Sequence, residues 1–225
     1  MHRPLPADVK AVLFDLDGTL IETDNRWAAQ LGKRLAPLRR VAPWWDTGRA
    51  ARDVIMMIEG PSNYAVAIIE RLGLSHLVSE LADRVRRSKG LATRDTSELV
   101  PGSEQVLEAT SQRFKLGVVT TRARREALAF LERWDFAKYF GVVVTRQDCW
   151  WMKPHPEPVL KAAAALGVPP ERCIMVGDTV ADVRAARRAG AYAVGVLCGF
   201  GDRRELERAQ ADLILERPEQ LLSYL

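Results

Sequence analysis

The 225-residue chain is short of several things, and each shortage excludes a class of protein. Its three cysteines, Cys149, Cys173 and Cys198, are odd in number and share no metal-ligand spacing. That excludes a disulfide framework and a thiolate zinc site. No run approaches the ~20 apolar residues of a membrane span. The stretch Ala11–Phe14 breaks at once in Asp15, so it gives no signal-peptide core, and a cytoplasmic, reduced protein without a membrane partner is expected. No Gly-x-Gly-x-x-Gly fingerprint follows an apolar run, and no internal repeat or low-complexity tract is visible. Charge of one sign is scarce too: 33 Lys and Arg against 29 Asp and Glu leave a net +4. The basic clusters Arg84/Arg86/Arg87, Arg122/Arg124/Arg125, Arg187/Arg188 and Arg203/Arg204 are scattered among acids, in the manner of solvated helix faces. No nucleic-acid partner is expected from them.

What is there is ordinary globular composition, 48% hydrophobic and 28% charged. Apolar runs of strand length recur at Ala11–Phe14, Leu116–Val119, Val142–Val144, Cys173–Val176 and Ala193–Leu197, with a weaker Leu213–Leu215. They are continuous rather than alternating, as in strands covered on both faces. Helical patterns lie between them at Gly102–Arg113, Ala123–Trp134, Glu157–Leu166 and Asp182–Ala189. The third follows two prolines and stops at Gly167, and the fourth stops at Gly190. This alternation predicts an α/β fold: a doubly wound parallel sheet with a Rossmann-like core.

One interval breaks the rhythm. Between Leu16 and Glu98 there is no strand run, and helical patterns separated by Pro43, Gly60-Pro61 and Gly73 dominate. The expected organisation is a catalytic core of residues 1–22 and 99–225 with an α-helical domain, residues 23–98, inserted after the first strand. Residues 24–98 hold 13 Lys and Arg against 9 Asp and Glu, so the whole +4 falls in this insert. That surplus would steer an anionic solute.

Four places carry candidate chemistry. Asp15-Leu16-Asp17-Gly18-Thr19-Leu20 follows the first strand. Two acids at a strand's C-terminal end reach the crevice where open α/β sheets bind ligands, and so close a pair needs a cation or a proton between them. They are read as a Mg²⁺ site with a carboxylate nucleophile beside an acid/base, or else as a capped strand end. Thr120 ends the second strand, with Thr121 after it; either a phosphate site or a turn residue fits. Lys153, in Met152-Lys153-Pro154-His155-Pro156, is held by prolines near a helix start, either at an anion site or at the surface. His155 reads as an exposed spacer. Gly177-Asp178-Thr179-Val180-Ala181-Asp182 follows a strand. Its two acids would lie one turn apart on a helix face, for chemistry or for capping.

Together, and in this order, these residues resemble the four motifs of the haloacid dehalogenase-like hydrolase superfamily. The resemblance covers the chain from about Val9 to its C-terminus. An insert directly after the first motif is similar to the helical cap of the phosphoglycolate phosphatase-like and β-phosphoglucomutase-like branch. Two positions depart from the usual pattern: Glu22-Thr23 where Asp with Ser or Thr is common, and Thr121 where Asn often stands.

The resemblance implies a Mg²⁺-dependent phosphatase acting on a small phosphomonoester. Asp15 would be the nucleophile and Asp17 the acid/base. The metal would be held by Asp15, the Asp17 main-chain carbonyl and Asp178. Thr120, Thr121 and Lys153 would bind phosphate, and Asp182 would orient Lys153 or a metal-bound water. Arg49, Trp44 and Trp45 are candidate substrate contacts from the cap. Trp150 and Trp151 would line the cleft or serve the core or an interface. The partner is a small anionic phosphorylated substrate, and the chain a monomer or homodimer. A phosphosugar mutase uses the same core and remains an alternative. An aspartyl-phosphorylated signalling module is disfavoured, because such modules are shorter and lack the insert.

Overall fold

A computed structural model describes residues 4–22 and 98–225. The chain divides into two compact units, Met1–Glu22 with Asp95–Leu225, and Thr23–Arg94. The helical insert expected over 23–98, with Arg49, Trp44 and Trp45, lies outside the described residues except for Glu98.

Six parallel strands form one sheet: β1 (Ala11–Phe14), β2 (Lys115–Val119), β3 (Phe140–Val144), β4 (Cys173–Gly177), β5 (Tyr192–Val196) and β6 (Leu213–Leu215). Their spatial order is β3-β2-β1-β4-β5-β6. Among the described residues five α-helices accompany them: α1 (Ser103–Ser111), α2 (Arg124–Arg133), α3 (Glu157–Leu166), α4 (Val180–Ala189) and α5 (Arg203–Arg208). The four residues of β1 are fully buried, as are all five of β4 and β5. This is why those segments read as unbroken apolar runs. The edge strand β3 is only partly covered. Val12, Phe14, Val118, Phe130, Ile174 and Val176 share the core, and Phe14 meets Phe140 edge to face at 6.5 Å.

The strand order determines where a ligand can sit. From β1 the sheet grows through β2 to β3, then resumes on the opposite side of β1 with β4. The reversal lies between β1 and β4, and open α/β sheets bind ligands at the carboxyl ends of the strands at such a point. β1 and β4 pair in register from Ala11 with Cys173 to Phe14 with Val176. The residues that follow them, Asp15 and Asp178, therefore emerge side by side. Past Asp15 the chain turns: the amides of Leu20 and Ile21 both donate to the Leu16 carbonyl, each at 2.9 Å. Ile21 then bridges to Leu99, so the chain leaves for residue 23 and returns at 98 as an antiparallel pair.

Local chemistry moved some boundaries. Helix α4 starts at Val180 because Thr179 caps it, with its hydroxyl and the Asp182 carboxylate forming a reciprocal capping box. Asp178 therefore precedes the helix, and the expected pairing of Asp178 and Asp182 on one helix face is corrected. Helix α5 has no apolar period that would predict it. Only Leu206 is buried, and the helix is set by an Asp202–Glu205 capping box.

Candidate active site

Asp15, Lys153, Asp178 and Asp182 come together from three segments of the chain, all buried. Lys153 Nζ is the hub. It lies 2.8 Å from Asp15 Oδ1 and 2.6 Å from Asp182 Oδ1, and donates to the Val119 carbonyl at 3.0 Å. Burial alone would lower the Lys153 pKa, but the charges of Asp15 and Asp182 outweigh it and hold the ammonium above its ordinary range. The sequence around Lys153 explains its fixed position: Pro154 and Pro156 restrict the loop, and α3 starts directly after it.

The Asp15 pKa is raised as well, here with burial as the leading cause. Burial pushes its carboxyl up to about 7, Lys153 pulls it down, and the negative charges of Asp182 and Asp17 raise it again. Burial likewise raises Asp178 well above the carboxylate range, and Asp182 and Asp15 add to that shift. Three acids and one ammonium in a dry pocket leave an excess of negative charge.

Carboxylate oxygens of Asp15, Asp178 and Asp182 lie within 4.8 Å of one another. Asp178 is the most telling of them. Its Oδ2 accepts the Phe200 amide at 2.7 Å, while its buried Oδ1 has no hydrogen-bond partner. A fully buried carboxylate oxygen left bare costs free energy unless something binds it. The space around Asp178 is shaped by glycine: a Cβ on Gly18 (φ 75°) or on Gly199 would overlap its carboxylate. Hard oxygen donors, one of them unsatisfied, in an electronegative pocket fit a divalent cation of the Mg²⁺ type.

The other expected residues fall around this cluster. Thr120 is buried at the end of β2, and its Oγ1 accepts the Arg122 amide at 3.1 Å; Thr121 is half-buried beside it. Asp17 does not point its carboxylate into the acidic trio. Arg122 takes it instead through Nε at 2.8 and 3.0 Å and Nη2 at 2.6 Å. The two side chains are 24% and 36% exposed, so this pair sits at the wet edge of the site. Asp182 lends Oδ1 to Lys153 and Oδ2 to the capping box of α4. His155 is exposed, and its Nδ1 accepts the Glu157 amide at 3.2 Å. Trp150 and Trp151 are exposed at 71% and 57%, so they do not serve the core.

Two participants escape a reading of residue types. Arg122 belongs to an Arg-Ala-Arg-Arg run that reads as a solvated helix face. It actually precedes α2, in the turn after Thr120, and joins a residue 105 positions earlier. The Phe200 amide is main chain, and its only sequence signal is the Gly199-Phe200-Gly201 context that lets the backbone approach Asp178.

A doubly wound sheet with an acid after β1, a hydroxyl after β2, a lysine before α3 and an acid after β4 defines a phosphoryl-transfer hydrolase core. Comparison with known proteins gives the family. The model of haloacid dehalogenase-like hydrolases matches residues 12–196. The phosphoglycolate phosphatase of Shigella boydii is 30% identical over 97% of this chain and 93% of its own. A pyrophosphatase of Anoxybacillus flavithermus is 30% identical over 97% of both chains. Among solved structures, a haloacid dehalogenase-like family hydrolase from Streptococcus pneumoniae superposes with TM-score 0.67, at 23% identity over 97% of this chain and 99% of that one. A β-phosphoglucomutase from Clostridium difficile gives 0.60, at 23% identity over 95% and 93%. The chain belongs to the haloacid dehalogenase-like hydrolases, in their phosphoglycolate phosphatase-like and β-phosphoglucomutase-like branch, and is a phosphatase. Among the described residues no helix is long and apolar enough to cross a membrane.

Proposed function

We propose that the chain is a Mg²⁺-dependent phosphatase that cleaves a small phosphomonoester through an aspartyl-phosphate on Asp15. The observation that carries this reading is the buried trio around Lys153, with Asp178 Oδ1 bare. Asp15 and Asp178, with the Asp17 main-chain carbonyl that the resemblance adds, would hold the cation. When bound, the cation supplies positive charge that offsets the repulsion between an anionic nucleophile and an anionic phosphate.

The remaining steps belong to the chain's own residues. An Asp15 carboxylate oxygen attacks phosphorus in line, and the bond from phosphorus to the ester oxygen breaks. The leaving oxygen takes a proton from Asp17. Asp17 then accepts a proton from water, which attacks the phosphorus of the aspartyl-phosphate and releases inorganic phosphate. Asp15 is regenerated, so one hard displacement becomes two easier ones. Thr120 and Lys153 offer an O–H and an N–H to the phosphoryl oxygens, where charge is greatest. Lys153 arrives already fixed by Asp15, Asp182 and the Val119 carbonyl, so little reorganisation is needed.

Residues 23–98 are proposed as a cap that shields the bound phosphate from bulk water, with Arg49, Trp44 and Trp45 as substrate contacts. Phosphoglycolate is the first substrate to try, because it names the relatives that match most of the chain. The test is phosphate release from an aryl phosphate and from phosphoglycolate, with and without a chelator, in the wild type and in Asp15→Asn. Activity that survives both the chelator and the substitution overturns the proposal. A mutase would interconvert phosphosugars with little phosphate release.

A further inference from the structure

Lys153 needs a hold that lies outside the site. Its Nζ is within 3.0 Å of three oxygens, from Asp15, Asp182 and the Val119 carbonyl. An ammonium has three donors, so a phosphoryl oxygen arriving at Lys153 must displace at least one of these contacts. The head of the side chain therefore cannot fix the loop at the moment of binding, and the main chain must. Pro154 and Pro156 narrow the backbone angles there, but neither brings an N–H with which to tie the loop down.

The tie comes from Glu157, the first residue of α3. An acid in the first turn of a helix ordinarily serves the helix dipole. This one turns back along the chain. Its Oε1 accepts the Trp150 amide at 2.9 Å and its Oε2 the Trp151 amide at 2.8 Å, from seven and six residues earlier. Lys161 Nζ lies 2.8 Å from Oε1 and donates to the Asp148 carbonyl at 2.5 Å. Burial would raise the Glu157 carboxyl, but the Lys161 bond and the two amides outweigh it and hold the group below its ordinary range. The other flank of the loop is held as well: Arg188 of α4 donates from Nη1 to the Pro154 carbonyl at 2.9 Å. Two N–H groups converging on two oxygens require a carboxylate. Glutamine has the same size but offers one acceptor, and it turns an N–H against the second amide.

We propose that Glu157 is a positioning residue for Lys153: by gripping the Trp150 and Trp151 amides it keeps the loop where the lysine meets the phosphoryl group. The inference rests on the phosphatase reading and adds to it a residue that touches neither substrate nor metal. Losing one charge-assisted bond lowers the ratio of held to released loop by roughly 10- to 100-fold. Apparent affinity then falls with the fraction of loops in place, whereas a bound substrate itself selects the held loop. The loss therefore shows in KM rather than in kcat.

The experiment compares the wild type with Glu157→Gln. An aryl phosphate gives KM and kcat, and calorimetry with inorganic phosphate on the metal-loaded protein gives Kd. KM and the phosphate Kd should rise together by about tenfold, with kcat within about threefold of the wild type. A lower Tm with KM and Kd unchanged, or a loss confined to kcat, overturns the inference and leaves the phosphatase reading standing.

A second measurement needs no variant. The Trp150 and Trp151 side chains are exposed. In the wild type their amides should nonetheless exchange hydrogen at least about tenfold more slowly than in an unstructured chain. Unprotected amides at both positions overturn the inference, whether or not Glu157→Gln folds. A wild type that neither binds phosphate nor releases it from the aryl ester overturns the phosphatase reading and this inference with it.

Discussion

Metal-free protein should lose stability as pH rises from 5 to 7, the opposite of the usual rise for a protein with salt-bridged carboxylates. The perturbation is removal of divalent cations, which leaves Asp15, Asp178 and Asp182 answered by Lys153 alone. Burial moves Asp15 from 3.8 up to about 7 in the folded chain. Between those values the unfolded chain has Asp15 ionised while the folded chain still holds its proton. The folded state binds more protons, so its stability is fully present below 3.8 and is lost as pH climbs through about 7. At 1.36 kcal/mol per pH unit the whole shift amounts to about 4 kcal/mol, of which about 3 kcal/mol falls between pH 5 and 8, or roughly 5–10 °C in Tm for a protein of this size. Asp178 shifts the same way and steepens the loss. Glu157 and Asp148 are held low through hydrogen bonds that outweigh the effect of burial, and they act only at the acid end, below the window. The assay is thermal melting of chelator-treated protein between pH 5 and 8, for the wild type and Asp15→Asn. The wild-type curve should slope down by roughly 5–10 °C, the variant should be shallower, and saturating Mg²⁺ should flatten the wild type. A metal-free wild-type Tm that is constant or rises from pH 5 to 7.5 refutes the reasoning.

Three further outcomes are expected. Lys153→Met removes the one ammonium from three buried acids and should cost about 3–5 kcal/mol in metal-free protein at pH 7, measured by urea unfolding. Turnover should fall at least about 100-fold with it. Gly199→Ala pushes a methyl group against the Asp178 carboxylate, so the Mg²⁺ concentration for half-maximal turnover should rise at least about tenfold; an unchanged metal requirement would show that Asp178 does not bind the ion. Asp17→Asn should slow turnover by about 100-fold or more and leave a phosphorylated Asp15 detectable by mass spectrometry, whereas an unchanged rate would remove Asp17 from the chemistry.

Most of the fold was legible because its strands are buried on both faces. A parallel sheet between helices leaves no polar face, so β1, β4 and β5 appear as continuous apolar runs. Helix α5 was not legible, because one buried leucine sets no period and its start depends on side-chain capping. Asp15, Thr120 and Asp178 stood out for the same topological reason: each is the first polar residue after such a run, at the end of the sheet where ligands bind. Arg122 did not stand out. Its residue type and its neighbours are those of an exposed helix face, and only the pairing of β1 with β2 brings its turn beside Asp17.

Asp182 shows why capping and chemistry need not compete as readings of one residue. Thr179 and Asp182 form a complete capping box, with the Thr179 hydroxyl also donating to Asp182 Oδ2. Read alone, the pair is an ordinary helix start. Yet the cap uses only Oδ2, and by fixing that oxygen it aims Oδ1 at Lys153, 2.6 Å away. The helix terminus thus positions a charge that holds Lys153. Because Asp178 precedes the cap, in the bend that follows β4, its own carboxylate can instead face the Phe200 amide and leave Oδ1 bare. Two acids four residues apart acquire different tasks because the helix begins between them. A Thr179→Val change should therefore do more than weaken α4: it should loosen Lys153 and raise KM for substrate more than it lowers Tm. A variant with a lower Tm and an unchanged KM would confine Asp182 to the helix.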